Sequence, residues 1–123
     1  MTCKNIIIAE DENIIALDIK KRIESMGHHV ALIVNSGELA IDAALSVKPD
    51  LILMDITLKG KVNGIDAGIE IWNKFQIPII FVTAYLDDFS IGKCQLSKCN
   101  FDFIIKPFCQ EDFNKKIAHA LAA

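Results

Sequence analysis

The 123-residue sequence lacks the marks of several large classes of protein. It has no apolar stretch near the roughly 20 residues that a membrane-spanning helix needs, and its start carries no signal-peptide pattern. Basic residues are not in excess, since the formal net charge is −3, so nucleic-acid binding gains no support. Internal linkers, low-complexity segments and repeats are also missing. We therefore expect one cytoplasmic domain over residues 1–123, without membrane or direct nucleic-acid contacts.

Closely spaced cysteine pairs are missing as well. The four cysteines are Cys3, Cys94, Cys99 and Cys109. Four residues separate Cys94 from Cys99, and no histidine partners accompany them, which is weak evidence for a zinc site. We expect reduced, partly buried thiols rather than a disulfide or a metal site.

The sequence does contain a regular alternation of apolar runs and helical patterns, with 52% hydrophobic residues. Strands are predicted at residues 4–9, 30–34, 51–54, 79–82 and 102–105. Helices are predicted at residues 12–26, after a capping Ser36, at 65–75, at 88–98 with a weak pattern, and after Phe108. This repeated βα pattern predicts an α/β fold with a parallel sheet, right-handed crossovers and helices on both faces. Lys20, Lys21 and Arg22 are expected on a solvated face of the first helix.

Four of the predicted strands end in residues with useful chemistry. Glu10 and Asp11 follow the first strand, Asp55 ends the third, Thr83 follows the fourth and Lys106 follows the fifth. The carboxyl ends of parallel strands form the ligand-binding edge of an open sheet. We therefore expect these side chains to form one site.

Three carboxylates at this edge favour a divalent cation. Close carboxylates repel one another, which raises at least one pKa unless a cation neutralises them. Mg²⁺ prefers oxygen ligands and keeps several waters, and Mn²⁺ is an alternative. We expect Asp11 and Asp55 as direct ligands, Glu10 as a ligand through water, and the backbone carbonyl of Thr57 as a further ligand. For Asp11 alone, a solvated residue before the first helix is the plainer interpretation.

A carboxylate beside a metal ion can also attack phosphorus and form an acyl phosphate. In phosphoryl transfer, catalysis is mostly positioning and charge neutralisation. In this interpretation Asp55 is the phosphoacceptor and the Lys106 ammonium neutralises a phosphoryl oxygen. The Thr83 hydroxyl and the backbone amide of Ala84 donate hydrogen bonds to another. Pro107 predicts a cis bond after Lys106, which would aim the lysine side chain.

These residues occur in short motifs whose order and spacing together are specific. The motifs are Glu10-Asp11, Leu51-Ile52-Leu53-Met54-Asp55, Thr83-Ala84 and Lys106-Pro107-Phe108. Over almost the whole chain they resemble the receiver domain of two-component response regulators. The resemblance implies a flavodoxin-like (βα)5 fold, a doubly wound parallel sheet of strand order 2-1-3-4-5 in three α/β/α layers.

The resemblance also implies a function. It implies Mg²⁺-dependent phosphorylation of Asp55 from the phosphohistidine of a sensor histidine kinase or phosphotransfer protein. Such a domain is a signalling switch rather than a turnover enzyme, although it catalyses its own phosphorylation and dephosphorylation. By position, Phe103 matches the family's switch aromatic, which turns inward as Thr83 moves toward the phosphoryl group.

The family's output surface comprises the fourth helix, the fifth strand and the fifth helix. A homodimer through this surface is an open alternative, as are a stand-alone regulator and a piece of a longer protein. The output partner or effector domain is not identified by the sequence. The loop containing Leu58-Lys59-Gly60 is slightly long for the family and lacks its frequent proline.

Three other functions are alternatives to this one. A flavin-binding domain would need a hydroxyl- and glycine-rich phosphate loop after the first strand, where Glu10-Asp11-Glu12 would repel phosphate. A metal-dependent phosphatase with an Asp nucleophile would place two acids on one strand end, unlike Asp55-Ile56-Thr57. The third alternative is a receiver-like interaction module that phosphorylation does not regulate.

Overall fold

The computed structural model describes residues 3–58, 60–98 and 100–122. Strands and helices alternate along the described chain. In order they are β1 (Asn5–Ala9), α1 (Asn13–Ser25), β2 (His29–Val34), α2 (Gly37–Val47), β3 (Leu51–Asp55), α3 (Gly64–Phe75), β4 (Ile79–Thr83), α4 (Asp88–Ser97), β5 (Phe101–Ile105) and α5 (Gln110–Leu121). Where bounds were predicted from the sequence, the observed ends agree to within one residue.

The five strands form one parallel sheet in the order β2-β1-β3-β4-β5. This confirms the predicted fold class and strand order. Every residue of β3 and of β4 is buried, because helices cover both faces of the sheet. That double cover explains why these strands read as continuous apolar runs rather than as alternating patterns.

The core lies in two apolar layers, one on each face of the sheet. One layer joins α2, α3 and Cys94 of α4 to side chains such as Ile52 and Phe81. The other joins α1 and α5 to side chains such as Leu53 and Val82. Neighbouring residues of a strand thus serve opposite layers, as the pleat of a strand requires. The result is the predicted three-layer α/β/α arrangement.

Side-chain caps fix where three helices leave the carboxyl edge of the sheet. The predicted cap Ser36 is confirmed, since its Oγ accepts a hydrogen bond from the Leu39 N–H at 3.1 Å. Asn63 Oδ1 accepts from the Asp66 N–H at 2.9 Å, and Asp87 begins α4 in the same way. Each cap satisfies a donor that the first helical turn leaves unpaired, and so sets the path of the loop before it.

Helix α4 is weakly attached to the rest of the domain. Only Ser90 and Cys94 of its described side chains are buried. An ion pair between Lys93 of α4 and Asp66 of α3 supplements this packing. Few buried apolar contacts make an element easier to displace, so α4 is the least firmly held of the helices.

The cysteine side chains of Cys3, Cys94 and Cys109 are free thiols, whereas Cys99 lies outside the described residues. Burial raises the pKa of the Cys94 thiol to about 11, so this thiol stays protonated near neutral pH. Within the described ranges, every helix is too short or too polar to cross a bilayer.

The start of α3 lies directly against the end of β3. The Gly64 N–H donates to the Ile56 carbonyl at 3.0 Å. A Cβ on Gly64 would overlap the backbone carbonyl oxygen of Asp55. By contrast, a Cβ on Gly92, inside α4, would meet no atom within 4 Å. The fold therefore needs glycine at position 64 but not at position 92.

We expect Gly64→Ala to destabilise the protein by about 1–3 kcal/mol, because the added methyl group forces the backbones of β3 and α3 apart. Gly92→Ala is the matched control, and we expect it to stabilise by roughly 0.5–1 kcal/mol through helix propensity. Urea denaturation followed by circular dichroism measures both. Equal stability of Gly64→Ala and wild type would contradict the close approach described above.

Candidate functional site

Polar side chains that follow four strands converge at the carboxyl edge of the sheet. Glu10, Asp55 and Thr83 are only 3%, 6% and 2% exposed. With Ser90, they are the buried polar or charged residues of the described chain. Burial of a charged side chain is unfavourable unless it is paired. Two buried carboxylates and a buried hydroxyl at one edge therefore mark this region as the strongest candidate site.

The three predicted acids are close enough to share one cation. Glu10, Asp11 and Asp55 each offer a carboxylate oxygen, and these oxygens lie within 4.8 Å of one another. Asp11 is half-buried, so the cluster is open to solvent on its side. Carboxylate oxygens are the ligands that Mg²⁺ prefers, and the residues present fit such an ion.

The Lys106 ammonium is the counter-charge of this cluster. Its Nζ lies 3.3 Å from Glu10 Oε2 and 3.6 Å from Asp55 Oδ2. The backbone N–H of Lys106 donates to the Thr83 carbonyl at 2.7 Å. The Lys106–Pro107 bond is cis, in line with the prediction from the Lys-Pro motif. The lysine thus reaches across from β5 to the ends of β1 and β3.

Both oxygens of Asp55 have partners that fix its orientation. Oδ2 faces Lys106. Oδ1 accepts hydrogen bonds from the Thr57 backbone N–H at 3.0 Å and from the Thr57 hydroxyl at 3.2 Å. The loop after β3 therefore shapes the site directly, because its second residue holds the carboxylate of Asp55.

The surroundings of Glu10 make ionisation of its carboxyl group unfavourable. Burial, followed by a hydrogen bond with Asp55 and charge repulsion from Asp55, raises the pKa of Glu10 to about 7, although Lys106 acts in the opposite direction. The sequence predicted a raised pKa from repulsion alone. Burial is the larger cause, and it depends on the helices that cover the sheet.

The Thr83 hydroxyl is engaged within its own loop. It donates to the Tyr85 carbonyl at 2.9 Å and accepts from the Tyr85 N–H at 3.3 Å. Ala84, between them, is exposed. Thr83 follows Val82, the residue that pairs with Asp55 across the sheet. The hydroxyl therefore lies at the site's edge, and its roles with the Ala84 amide stay predictions.

Phe103 lies in β5 beside the first apolar layer. It is half-buried, with its ring centroid 5.5 Å from that of Phe81 and 5.4 Å from that of Phe101. Phe81 belongs to β4, the strand that ends in Thr83. Phe103 is thus one strand away from the predicted switch residue, which suits the expected coupling between them.

Sequence reasoning missed the contacts of Arg22, whose side chain is only 25% exposed, whereas Lys21 of the same basic cluster is exposed as expected. Its guanidinium donates to Asp18 and to Gln110 Oε1, at 2.9 Å and 3.0 Å, and lies 5.0 Å from the Phe108 ring centroid. It therefore joins α1 to the segment after Lys106. The basic cluster on α1 gave no sign of this, because Gln110 is 88 residues away.

Sequence reasoning also missed Glu38, in the first turn of α2. Its Oε1 accepts a hydrogen bond at 2.7 Å from the backbone N–H of Val62, which lies in the loop after β3. No sequence pattern links these two positions, which are 24 residues apart. Their contact depends on how α2 packs beside α3.

Comparisons with known proteins agree with this geometry. A family model described as the response regulator receiver domain matches residues 6–118. The phyllosphere-induced regulator PhyR of Methylorubrum extorquens is 36% identical over 118 residues, which cover 94% of this chain and 43% of that protein. The chain spans about half the length of the curated relatives it matches.

Two solved structures are similar over nearly the full chain. The solution structure of the PhyR receiver domain of Erythrobacter litoralis is 31% identical, with a TM-score of 0.82, and the match covers 99% of this chain and 92% of that one. The receiver domain of the Pseudomonas aeruginosa sensor histidine kinase PA1611 is 26% identical, with a TM-score of 0.84 and coverage of 99% and 100%. In that crystal structure a magnesium ion is coordinated in the active-site cleft.

The raised pKa of Glu10 predicts a pH dependence of stability when divalent cations are chelated. Glutamate in the unfolded chain loses its proton near pH 4.5, whereas folded Glu10 keeps it to about pH 7. Between these values the folded state binds more protons, so stability falls as pH rises. We expect Glu10→Gln to remove this part of the decline, on the order of 2–3 kcal/mol.

Urea denaturation at pH 5 and pH 8, with EDTA present, measures the difference between the two proteins. Glu70→Gln is the control, since the Glu70 side chain on α3 is 44% exposed and pairs with Lys74. The same change of stability with pH in wild type and Glu10→Gln would contradict the assignment.

Proposed function

Because the chain belongs to the response regulator receiver domain family, we propose that it is a phosphoacceptor switch of a two-component system. Asp55 accepts a phosphoryl group from the phosphohistidine of a sensor histidine kinase or phosphotransfer protein. One observation carries the proposal: the buried Asp55 carboxylate lies against Lys106 and within 4.8 Å of the other two acids. Membership of this family supports the proposal over a flavin-binding domain or a phosphatase.

The same acids suit a divalent cation. We assign Asp11 and Asp55 as direct ligands of Mg²⁺, with Mn²⁺ as an alternative, Glu10 as a ligand through water and the Thr57 carbonyl as a further ligand. A bound ion would supply positive charge for the phosphoryl oxygens. The acids at positions 10, 11 and 55 would then lose the mutual repulsion that burial strengthens.

In the transfer itself, the main task of the protein is to position the reacting groups. An Asp55 oxygen attacks phosphorus, the phosphorus–nitrogen bond of the donor breaks, and the leaving imidazole takes up a proton. Lys106 neutralises charge on a phosphoryl oxygen from its position beside Asp55 Oδ2. Thr83 and the Ala84 amide donate to another oxygen once Thr83 has released Tyr85.

Release of Tyr85 by Thr83 links the phosphoryl group to the output surface. The hydrogen bonds between Thr83 and Tyr85 hold the start of the loop between β4 and α4. When Thr83 turns toward the phosphoryl group, this loop is freed, and Phe103 moves further inward. The surface of α4, β5 and α5 then changes. It carries the exposed apolar side chains of Phe89, Leu96 and Ile105, which suit an output partner or a homodimer.

In this proposal the domain signals and does not turn over a substrate, although it catalyses its own phosphorylation and dephosphorylation. We also propose a cytoplasmic location, because the free thiols of Cys3, Cys94 and Cys109 suit a reducing compartment. For the whole protein, signalling through Asp55 and contact with a kinase and an output partner are likewise proposed.

Incubation with acetyl phosphate and Mg²⁺, followed by intact mass spectrometry, tests the proposal. We expect wild type to gain one phosphoryl group and Asp55→Asn to gain none, because the nucleophile is missing. EDTA should prevent the gain. Asp42→Asn, on the exposed surface of α2, is the control and should react like wild type. An unmodified wild-type protein would favour the interaction module that phosphorylation does not regulate.

The lifetime of the acyl phosphate gives a further prediction. Tyr85 lies two residues after Thr83, and its side chain is 75% exposed, so we expect it to hinder the water that attacks the phosphoryl group. Tyr85→Ala should shorten the half-life about two- to fivefold, which is under about 1 kcal/mol in activation free energy. Tyr85→Phe keeps the bulk and should behave like wild type. Loss of the mass increase over time measures both, and equal half-lives for all three proteins would disprove the role.

A further inference from the structure

We propose that Glu38 is a positioning residue, which holds residues 56–58 and 60–63 of the loop between β3 and α3 in the conformation that the cation and phosphoryl site needs. The inference rests on the function proposed above and adds a residue of α2 to that site. Glu38 does not touch the reacting atoms in this account. It acts through the loop that joins β3 to α3.

The first step is the contact between Glu38 and the far end of the loop. Glu38 Oε1 accepts a hydrogen bond from the Val62 N–H at 2.7 Å. The same carboxylate lies against Gly60, where an added Cβ would be 2.6 Å from Glu38 Oε2. Gly60 has a φ of +109°, a backbone conformation that residues other than glycine rarely adopt.

The second step is the close fit between α2 and the loop. A Cβ on Gly37 would lie 2.6 Å from the Val62 carbonyl oxygen, so the first turn of α2 packs directly on the loop backbone. On its other side the loop is held by Leu58, which is buried in the first apolar layer. The loop thus has an apolar attachment at Leu58 and a polar attachment at Glu38.

The third step leads from the loop to Asp55. The base of the loop closes through the hydrogen bond from Gly64 to the Ile56 carbonyl. Thr57, between this base and Leu58, donates two hydrogen bonds to Asp55 Oδ1. Its backbone carbonyl is the ligand assigned above to the cation. The conformation of the loop therefore sets both the orientation of Asp55 and the direction of that carbonyl.

Loss of the Glu38 contact would leave the Val62 N–H without this acceptor and loosen the loop. Cation binding would then have to order the loop, and the free energy of that ordering would be lost from the affinity. Changes to groups that orient metal ligands typically weaken binding about 10- to 100-fold. Glu38 is not itself a ligand, so we expect the low end of this range.

The test separates length from charge at position 38. Glu38→Gln keeps the length and an acceptor oxygen but removes the charge. Glu38→Asp keeps the charge but is one methylene too short to reach Val62 in the same geometry. Glu38→Ala removes both. Glu70→Ala is the matched control, because Glu70, like Glu38, is a half-buried helical carboxylate, and it pairs with Lys74.

Mg²⁺ affinity is measured first, by calorimetric titration of each protein. We expect Glu38→Ala and Glu38→Asp to bind Mg²⁺ about tenfold more weakly than wild type, and Glu38→Gln and Glu70→Ala to stay within about twofold of it. In acetyl phosphate labelling, the Mg²⁺ concentration for half-maximal rate should rise by the same factor. The maximal rate at saturating Mg²⁺ should change less than about twofold, a pattern that general destabilisation would not produce.

Amide hydrogen exchange in EDTA gives a second measure that needs no cation. Exchange at residues 57, 58 and 60–62 should accelerate in the Ala and Asp variants and stay unchanged in the Gln variant. If Glu38→Ala does not fold, the Asp and Gln variants carry the comparison. The proposal would be overturned if Glu38→Asp had the Mg²⁺ affinity and amide exchange of wild type. It would also be overturned if Glu38→Gln bound Mg²⁺ more weakly while Glu38→Asp did not.

The two proposals fail separately. A wild-type protein that gains no phosphoryl group refutes the proposed function. Mg²⁺ affinity and amide exchange would still decide whether Glu38 positions the loop.

Discussion

The central constraint on the structure is that the like-charged carboxylates of Glu10 and Asp55 are buried close together. Glu10 and Asp55 are almost fully buried at neighbouring strand ends, and Lys106 is the counter-charge that reaches both. Such a cluster is unfavourable for folding, because desolvation and repulsion both oppose ionisation of its acids. The raised pKa of Glu10 is the direct expression of that cost. A divalent cation or a phosphoryl group changes this balance, so the site is sensitive to the ligands it is proposed to bind.

The parallel sheet is what brings these side chains together. Asp55 pairs with Val82, and Thr83 pairs with Ile105, so β3, β4 and β5 end at nearly the same level. The helices on both faces keep water from the strands, which increases the strength of every charge interaction at their ends. The apolar runs of the sequence therefore do two things: they drive burial, and they create the environment in which the carboxylates interact strongly.

The sequence predicted the fold and the convergence of the acids with Lys106, because both follow from patterns within single elements. Each strand was marked by an apolar run, and each candidate residue stood at the end of one. The contacts of Arg22 and Glu38 were not predicted, since they join residues 88 and 24 positions apart. Such contacts depend on the packing of helices and the choice of rotamers, which hydrophobic periodicity does not encode. The hydrogen bonds between Thr83 and Tyr85 are local, but they were missed because they depend on the backbone conformation of a loop and on the Thr83 rotamer.

The helices are packed unevenly, and under the proposed function this determines which part of the domain responds. Helices α1, α2, α3 and α5 contribute buried apolar side chains to the two layers, and displacing them would open cavities in the core. Helix α4 buries only Ser90 and Cys94 among its described residues, and its ion pair from Lys93 ends on Asp66. Asp66 in turn donates its backbone N–H to Asn63, at the end of the loop that carries Thr57. The element with the least packing is thus connected to the site through polar contacts, which rearrange at lower cost than a close-packed core. Under the proposed function, a change in the charge at Asp55 would therefore meet the least resistance along the path to α4.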